Sequence, residues 1–220
     1  EITEKEVGSI DEVMECDKSS TVSWLNIDGL HDEAIMSELS DRFEIDPLII
    51  SDLLNTHIRP KIHEYDTCIF VSLKMLRINN ESQKLESENF VIIMKENILI
   101  SFQEKEGDVF DPVRERLRKN KKRIRGSGTD YLMFALLDVI IDNYIYIISQ
   151  LGEKIEDIDD ELIKSPSSNR LEEINRYKSE LVYLRKIIKP CRELVLNLSK
   201  TDSDLINDYM EIHLKELQNN

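Results

Sequence analysis

The most apolar stretch of the chain, Tyr131–Leu151, decides whether this protein folds in water or in a membrane. It contains Asp138, Asp142 and Asn143. A helix that crosses the hydrocarbon core needs about 20 predominantly apolar residues and tolerates few charges at its centre. The stretch therefore predicts a buried core helix, and we expect no membrane-spanning segment in these 220 residues.

Helical patterns continue through the second half of the chain. One long helix is predicted over residues 129–164 and a second over 169–200, with Ser165-Pro166 between them and a kink at Pro190. Their apolar positions would pack face to face as an antiparallel helical hairpin. These positions are Ile155, Ile158 and Leu162 on the first helix, and Leu171, Ile174, Tyr177, Leu181 and Leu184 on the second. A last helix is expected from about residue 202 to the end.

Short strands and short helices alternate in the first 128 residues. Asp46-Pro47 has the N-cap and first-turn residues of a helix. Strands are predicted over Glu1–Val7, Thr21–Ile27, Thr67–Leu76, Phe90–Met94 and Ile98–Phe102. The expected fold is α/β (α+β): a three-layer αβα domain with a mixed, partly antiparallel sheet over 1–128. The helical hairpin (129–200) is expected to pack on the same domain, and the start of a further helix (201–220) follows it.

Charge argues against a nucleic-acid partner, and cysteine usage argues against a disulfide scaffold or a zinc site. The formal net charge is -15, whereas a nucleic-acid surface needs clustered Lys and Arg. The basic run Lys119–Arg125 is interpreted as a solvated loop after a helix C-terminus. Three widely spaced cysteines without Cys/His ligand spacing indicate a reducing compartment rather than a disulfide scaffold or a zinc site.

Catalytic motifs are missing from the sequence, and we expect no enzyme. The histidines, His31, His57, His63 and His213, are scattered, and no glycine-rich phosphate loop occurs. The acidic run Glu153–Glu161 holds six carboxylates in nine residues but lacks the EF-hand pattern. It is interpreted as the solvated face of the hairpin, with weak, water-mediated attraction of Mg²⁺ left open.

Segments along nearly the whole chain resemble the CorA family of magnesium transport proteins. They are Trp24–His31, Pro47-Leu48 with Asp52–Lys61 and His63–Asp66, Ser101–Glu104 with Gly107–Arg116, Asp130–Leu132 with Ala135–Asp138 and Asp142–Tyr144, and Leu181–Lys186 with Pro190 and Arg192–Leu194.

The resemblance implies a homopentameric channel for Mg²⁺, with Co²⁺ as a second candidate ion, and places this part of it at the cytoplasmic side of the inner membrane. Family members carry a cytosolic domain, a stalk helix and two transmembrane helices with a Gly-Met-Asn signature. That tripeptide does not occur here, so the chain is expected to be the soluble regulatory part, whose partners are other copies of itself, divalent cations and, through further helices, the membrane.

Cytosolic Mg²⁺ in the family binds weakly between neighbouring subunits and holds the channel shut. The matching metal positions here are Asp52 and Asp138. Ser51 stands where the family often has Glu, and Asn219 aligns with a stalk position that is usually Asp. Other divalent cations, a zinc-transporting relative, and a stand-alone helical interaction module remain alternatives.

Overall fold

The computed structural model describes residues 2–17, 21–30, 33–55, 57–79, 82–164 and 168–219. Among these residues, five strands form one mixed sheet in the order β1-β5-β4-β3-β2. The strands are β1 (Ser23–Asp28), β2 (Lys61–Tyr65), β3 (Cys68–Ile78), β4 (Leu85–Met94) and β5 (Ile98–Gln103). Strands β2 to β5 pair antiparallel in sequence order, whereas β1 pairs parallel to β5, with Ser23 opposite Ile98.

Helices cover both faces of this sheet. They are α1 (Ile10–Asp17), α2 (Glu33–Arg42), α3 (Pro47–Leu53), α4 (Asp111–Arg118), α5 (Lys122–Arg125), α6 (Thr129–Lys164), α7 (Ser168–Leu198) and α8 (Met210–Asn219). Successive strand side chains point to opposite faces. Phe70, Ile93 and Ile100 accordingly pack with α1–α3, and Val71 and Ile92 pack with α4 and α6–α8. The predicted three-layer αβα architecture is confirmed.

Helix α6 supplies much of the core between the sheet and helices α4 and α6–α8. Residues 131–137 are all buried, and Tyr144, Ile147 and Leu151 continue the buried stripe. Within the described residues, one helical segment, Thr129–Asp159 of α6, is long and apolar enough to cross a membrane. Half of its most apolar part is buried inside the protein. Its place between the sheet and the other helices confirms the prediction of a core helix.

Helices α6 and α7 form the predicted antiparallel hairpin. Tyr144 lies beside Cys191, and Ile158 faces Tyr177 nearer the hairpin tip. Ile158, Tyr177 and Leu184 are buried as expected, but Ile174 and Leu181 are 36% and 40% exposed. These two line an apolar groove of about 360 Å³ with Ile155. The side chains of Leu162 and Leu171 lie outside the described residues, and the domain boundaries at 128 and 200 stay predictions.

The connection between α7 and α8 is fixed to the start of α6. The Asp130 carboxylate, 1% exposed, accepts hydrogen bonds from the backbone N–H and side-chain amide of Asn207 at 3.1 and 2.7 Å. It also accepts from the backbone N–H of Tyr131 at 2.7 Å. Further along, the ring of His213 packs on Tyr131 and Phe134. Helix α8 therefore runs parallel to α6, beginning where α6 begins.

Four local predictions were wrong. Residues 2–7 form no strand, β2 was not predicted, and part of the basic run folds as helix α5. In α5, Ile124 is buried and Arg123 donates to Nε2 of His213 at 2.5 Å, so a predicted loop becomes a packed turn of helix. The last helix begins at Met210 rather than near residue 202, because the polar residues before it form the connection that Asp130 holds.

Candidate metal centre

Helix α3 presents Ser51 and Asp52 at the protein surface. Asp46 caps the helix by accepting a hydrogen bond from Leu48 N at 2.7 Å, and Pro47 occupies the first turn. Ile49 and Leu53, four residues apart, are buried against the sheet. This packing leaves Ser51 exposed, and the side chain of Asp52 is 28% exposed.

The Asp52 carboxylate already has a cationic partner within the same chain. Lys61, the first residue of β2, places its Nζ 2.6 Å from Oδ2 of Asp52. Sequence analysis gave Lys61 no role, although it lies only nine residues after Asp52 and within one of the segments that resemble the CorA family. The nearest signal in the sequence was Pro60, immediately before β2, since proline is found at the beginning of strands and on edge strands.

Asp138 lies on the partly exposed side of α6. Burial raises the pKa of its carboxyl, and repulsion from Asp142, one helical turn later, raises it further. Arg116 and His213 oppose this effect by favouring the charged form. Within the described residues no Lys, Arg or His nitrogen lies within ion-pair distance of Asp138. Asp138 is thus a half-buried carboxylate without an ion-pair partner among the described residues, and a bound cation would stabilise its charged form.

Asn219 is exposed at the end of α8, two residues after the buried Leu217. Helix α8 buries Met210, His213, Leu214 and Leu217, and so turns Ile212, Glu216 and Asn219 outward. Glu216 is close enough to Asp138 to raise its pKa. The exposed end of α8 and Asp138 on α6 therefore belong to one side of the molecule.

A single copy does not bring the four predicted positions together. Asp52 and Ser51 lie on α3, over one face of the sheet, whereas Asp138 and Asn219 lie on helices over the other. In the described part of the chain, no group of three His, Cys, Asp or Glu side chains is arranged to hold a metal ion. A shared ion at these positions would need a second copy of the chain.

The donor types fit Mg²⁺. The four positions offer two carboxylates, a hydroxyl and an amide oxygen, and Mg²⁺ prefers oxygen ligands. Mg²⁺ also keeps several of its waters and commonly takes one or two carboxylates, so partly exposed positions suit it. The residues are thus chemically suitable for a hydrated divalent cation, although their role as ligands is a proposal.

Replacing Asp138 by Asn is expected to stabilise the chain slightly in the absence of divalent cations. The change removes an i,i+4 repulsion from Asp142 worth about 0.2–0.5 kcal/mol, or about 1 °C in Tm. Because the folded-state pKa lies above its ordinary 3.8, ionisation costs native stability as the pH rises through that raised value. The gain in Tm should therefore be present at pH 7 and absent below pH 3.8.

Thermal unfolding at the two pH values measures this effect. Asp66→Asn, at an exposed turn, is the matched control with the same change of charge and should leave Tm unchanged. A loss of stability in Asp138→Asn at pH 7 would contradict the interpretation of Asp138 as a carboxylate without a partner.

Solved structures define the class of fold. The soluble domain of CorA from Methanocaldococcus jannaschii superimposes with a TM-score of 0.75, at 18% identity, over 89% of this chain and 77% of that one. The cytoplasmic domain of ZntB from Vibrio parahaemolyticus gives a TM-score of 0.69, at 15% identity, over 92% and 82% of the two chains. The fold is thus the one found in the non-membrane domains of these cation transport proteins.

Sequence comparison gives the family. The model of the family described as "CorA-like Mg2+ transporter protein" matches residues 19–220, and the chain belongs to this family. It is 35% identical over 206 residues to the cobalt/magnesium transport protein CorA of Thermotoga maritima, covering 94% of this chain and 59% of that protein. The chain spans between half and three-fifths of the length of the first curated relatives that it matches.

Proposed function

We propose that this chain is the cytoplasmic regulatory part of a homopentameric divalent-cation channel in the inner membrane. In this proposal Mg²⁺ binds between neighbouring copies, at Asp52 of one and Asp138 of the next, and holds the pore shut. Ser51, the residue before Asp52, and Asn219, at the exposed end of α8, would add neutral oxygen donors. Co²⁺ is a second candidate cargo, because the Thermotoga maritima relative is named for cobalt and magnesium transport.

The position of the two carboxylates on opposite layers of the sheet carries this proposal. Each is partly accessible, and Asp138 has no ion-pair partner in the described structure. An arrangement in which one copy supplies α3 and the next supplies α6 and α8 would bring them together. A contact of this kind, which joins two different surfaces of identical copies, produces a closed ring when the rotation between successive copies adds up to a full turn.

Exposed apolar side chains on the same helices support a contact between copies. Leu48 on α3 and Ile212 on α8 are each 67% exposed, more than the other large apolar residues of the described chain. Leu54, after α3, and Tyr209, before α8, are 41% and 45% exposed. Exposed apolar side chains grouped beside polar side chains are typical of protein–protein interfaces.

Electrostatics connects cation binding to the closed state. Copies with a net charge of -15 repel one another, and a divalent cation between two carboxylates replaces that repulsion with attraction. An ion that binds only the closed arrangement shifts the equilibrium by its differential affinity for the two states. Loss of Mg²⁺ would therefore release the contact between copies and open the pore.

The test uses the full-length protein in liposomes, with Mg²⁺ varied on the side of the cytoplasmic domain. Wild-type flux should fall as Mg²⁺ rises, and flux through Asp52→Ala or Asp138→Ala should persist at concentrations that close the wild type. Unchanged inhibition in Asp52→Ala would rule out the role assigned to Asp52. If Zn²⁺ rather than Mg²⁺ is both transported and inhibitory, the result would favour a zinc transporter like ZntB, whose cytoplasmic domain shares the fold.

Mixing the two variants tests whether the site lies between copies. In rings assembled at random from equal amounts of Asp52→Ala and Asp138→Ala chains, about a quarter of the contacts join an intact Asp52 to an intact Asp138. Part of the Mg²⁺ inhibition should then return, although each variant alone lacks it. No recovery in mixed rings would contradict a shared site.

A further inference from the structure

The ion pair between Lys61 and Asp52 occupies the carboxylate to which the proposed function assigns Mg²⁺. Lys61 Nζ lies 2.6 Å from Asp52 Oδ2, and the two side chains are 41% and 28% exposed. We propose that Lys61 is a built-in competitor, whose ammonium group holds Asp52 when Mg²⁺ is absent and must leave when Mg²⁺ binds. This inference rests on the proposed role of Asp52 as a cation ligand.

The backbone and a second contact keep Lys61 in this position. Lys61 begins β2, where it pairs with Ser72 of β3. Its ammonium group also lies 5.5 Å from the centre of the Phe70 ring, which is completely buried. An ammonium group over an aromatic face gains cation–π attraction. Strand pairing, ring and carboxylate together place the positive charge at Asp52 rather than leaving it free in solvent.

Lys61 and Mg²⁺ would compete for one carboxylate, that of Asp52, whose Oδ2 the lysine already contacts. Mg²⁺ binds oxygen at about 2.0–2.1 Å and demands a nearly octahedral shell. An ammonium group 2.6 Å from Oδ2 would lie inside that shell and would repel the ion. Binding of Mg²⁺ at Oδ2 therefore requires the Lys61 side chain to move away, and the energy of the lost ion pair is subtracted from the affinity.

Lys61 also compensates a negative charge on α3 in the ion-free protein. With Ser51 in place of a second carboxylate, Asp52 is the one acidic residue within α3, and the Lys61 ammonium group compensates its charge. Lys61 thereby sets the Mg²⁺ concentration at which the proposed contact between copies forms.

The experiment measures the midpoint of the Mg²⁺-dependent rise in Tm of the full-length protein. Lys61→Met keeps the aliphatic stem but removes the charge, and should lower the midpoint about two- to five-fold, the range expected for a partly exposed ion pair. Lys61→Arg should stay close to the wild type, since it keeps the charge. Lys119→Met is the matched control: it removes a 2.5 Å ion pair with Glu115 on α4 and should leave the midpoint unchanged.

Asp52→Asn separates this inference from the function on which it rests. If Asp52 binds Mg²⁺ and Lys61 competes for it, Asp52→Asn raises the midpoint and Lys61→Met has no further effect in that background. An unchanged midpoint in Asp52→Asn would refute the proposed site itself. If Asp52→Asn raises the Mg²⁺ midpoint as expected but Lys61→Met leaves the midpoint unchanged or raises it, competition alone would be refuted. An equal shift from Lys61→Met with and without Asp52 would also refute it, because the lysine would then act only through its general field.

Discussion

Removing the Asp130 carboxylate, by Asp130→Ala, is expected to lower the free energy of unfolding of this chain by about 3 kcal/mol, or about 6–12 °C in Tm. Its Oδ2 accepts two hydrogen bonds from Asn207, at 3.1 and 2.7 Å, and its Oδ1 accepts one from Tyr131 N at 2.7 Å. Alanine leaves these donors without a partner at a position that is 1% exposed. Buried donors that lose their acceptor cost about 1–3 kcal/mol each.

The loss should be greatest in the connection to α8. In Asp130→Asn the side chain keeps its size but loses its charge and one acceptor oxygen, so amide hydrogen exchange in α8 should increase more than that in β4. Asp204→Ala, at an exposed position of the same connection, is the control and should change Tm by less than about 2 °C. A wild-type Tm in Asp130→Ala would mean that this carboxylate does not hold α8 to α6.

Arg114→Ala is the second substitution with a large expected effect, a loss of about 2–4 kcal/mol in the free energy of unfolding. Arg114 binds Asp108 through two parallel hydrogen bonds of 2.7 and 2.5 Å, and its guanidinium group lies 5.3 Å from the centre of the Trp24 ring. The Asp108 side chain is only 5% exposed, so the substitution leaves a buried carboxylate without its cation.

The chain's single tryptophan makes this effect measurable by fluorescence. Trp24 packs against the buried Phe110 as well as Arg114, so its emission should change in Arg114→Ala before unfolding begins. Arg118→Ala is the control: Arg118 lies on the same helix and bonds Glu4 at 2.5 Å, but both side chains are about half exposed. Its loss should cost less than about 1 kcal/mol. Equal losses in the two variants would contradict the importance given to burial.

Much of the fold follows from sequence periodicity. The buried stripe of α6, the hairpin with α7, and the strands β3, β4 and β5 have strong local patterns, and the structure confirms them. The strand predicted over Glu1–Val7 had suitable residue types, but residues 2–7 pair with no strand of the described sheet. Strand β2 was missed because its sequence, KIHEY, is largely polar. It is an edge strand that depends on pairing with β3.

The candidate site was less accessible to sequence analysis than the fold. The resemblance to a family supplied Asp52 and Asp138, but the ion pair of Asp52 with Lys61 depends on the packing of α3 beside β2. Likewise, the contact of Arg123 with His213 joins residues 90 positions apart. Local patterns cannot contain such information, since each partner has an ordinary surface residue type and only the tertiary fold brings the two together.

The mixed sheet also has a consequence for the order in which the chain folds. Strands β2 to β5 form a meander whose neighbours are close in sequence, so their pairing closes only short loops. Strand β1 instead pairs with β5, Ser23 with Ile98, across 75 residues (98 − 23), the longest separation in the sheet. During synthesis from the N-terminus, β1 emerges first but has no partner until β5 is made. The strand of this sheet that comes first in the sequence is thus expected to be the last added to it.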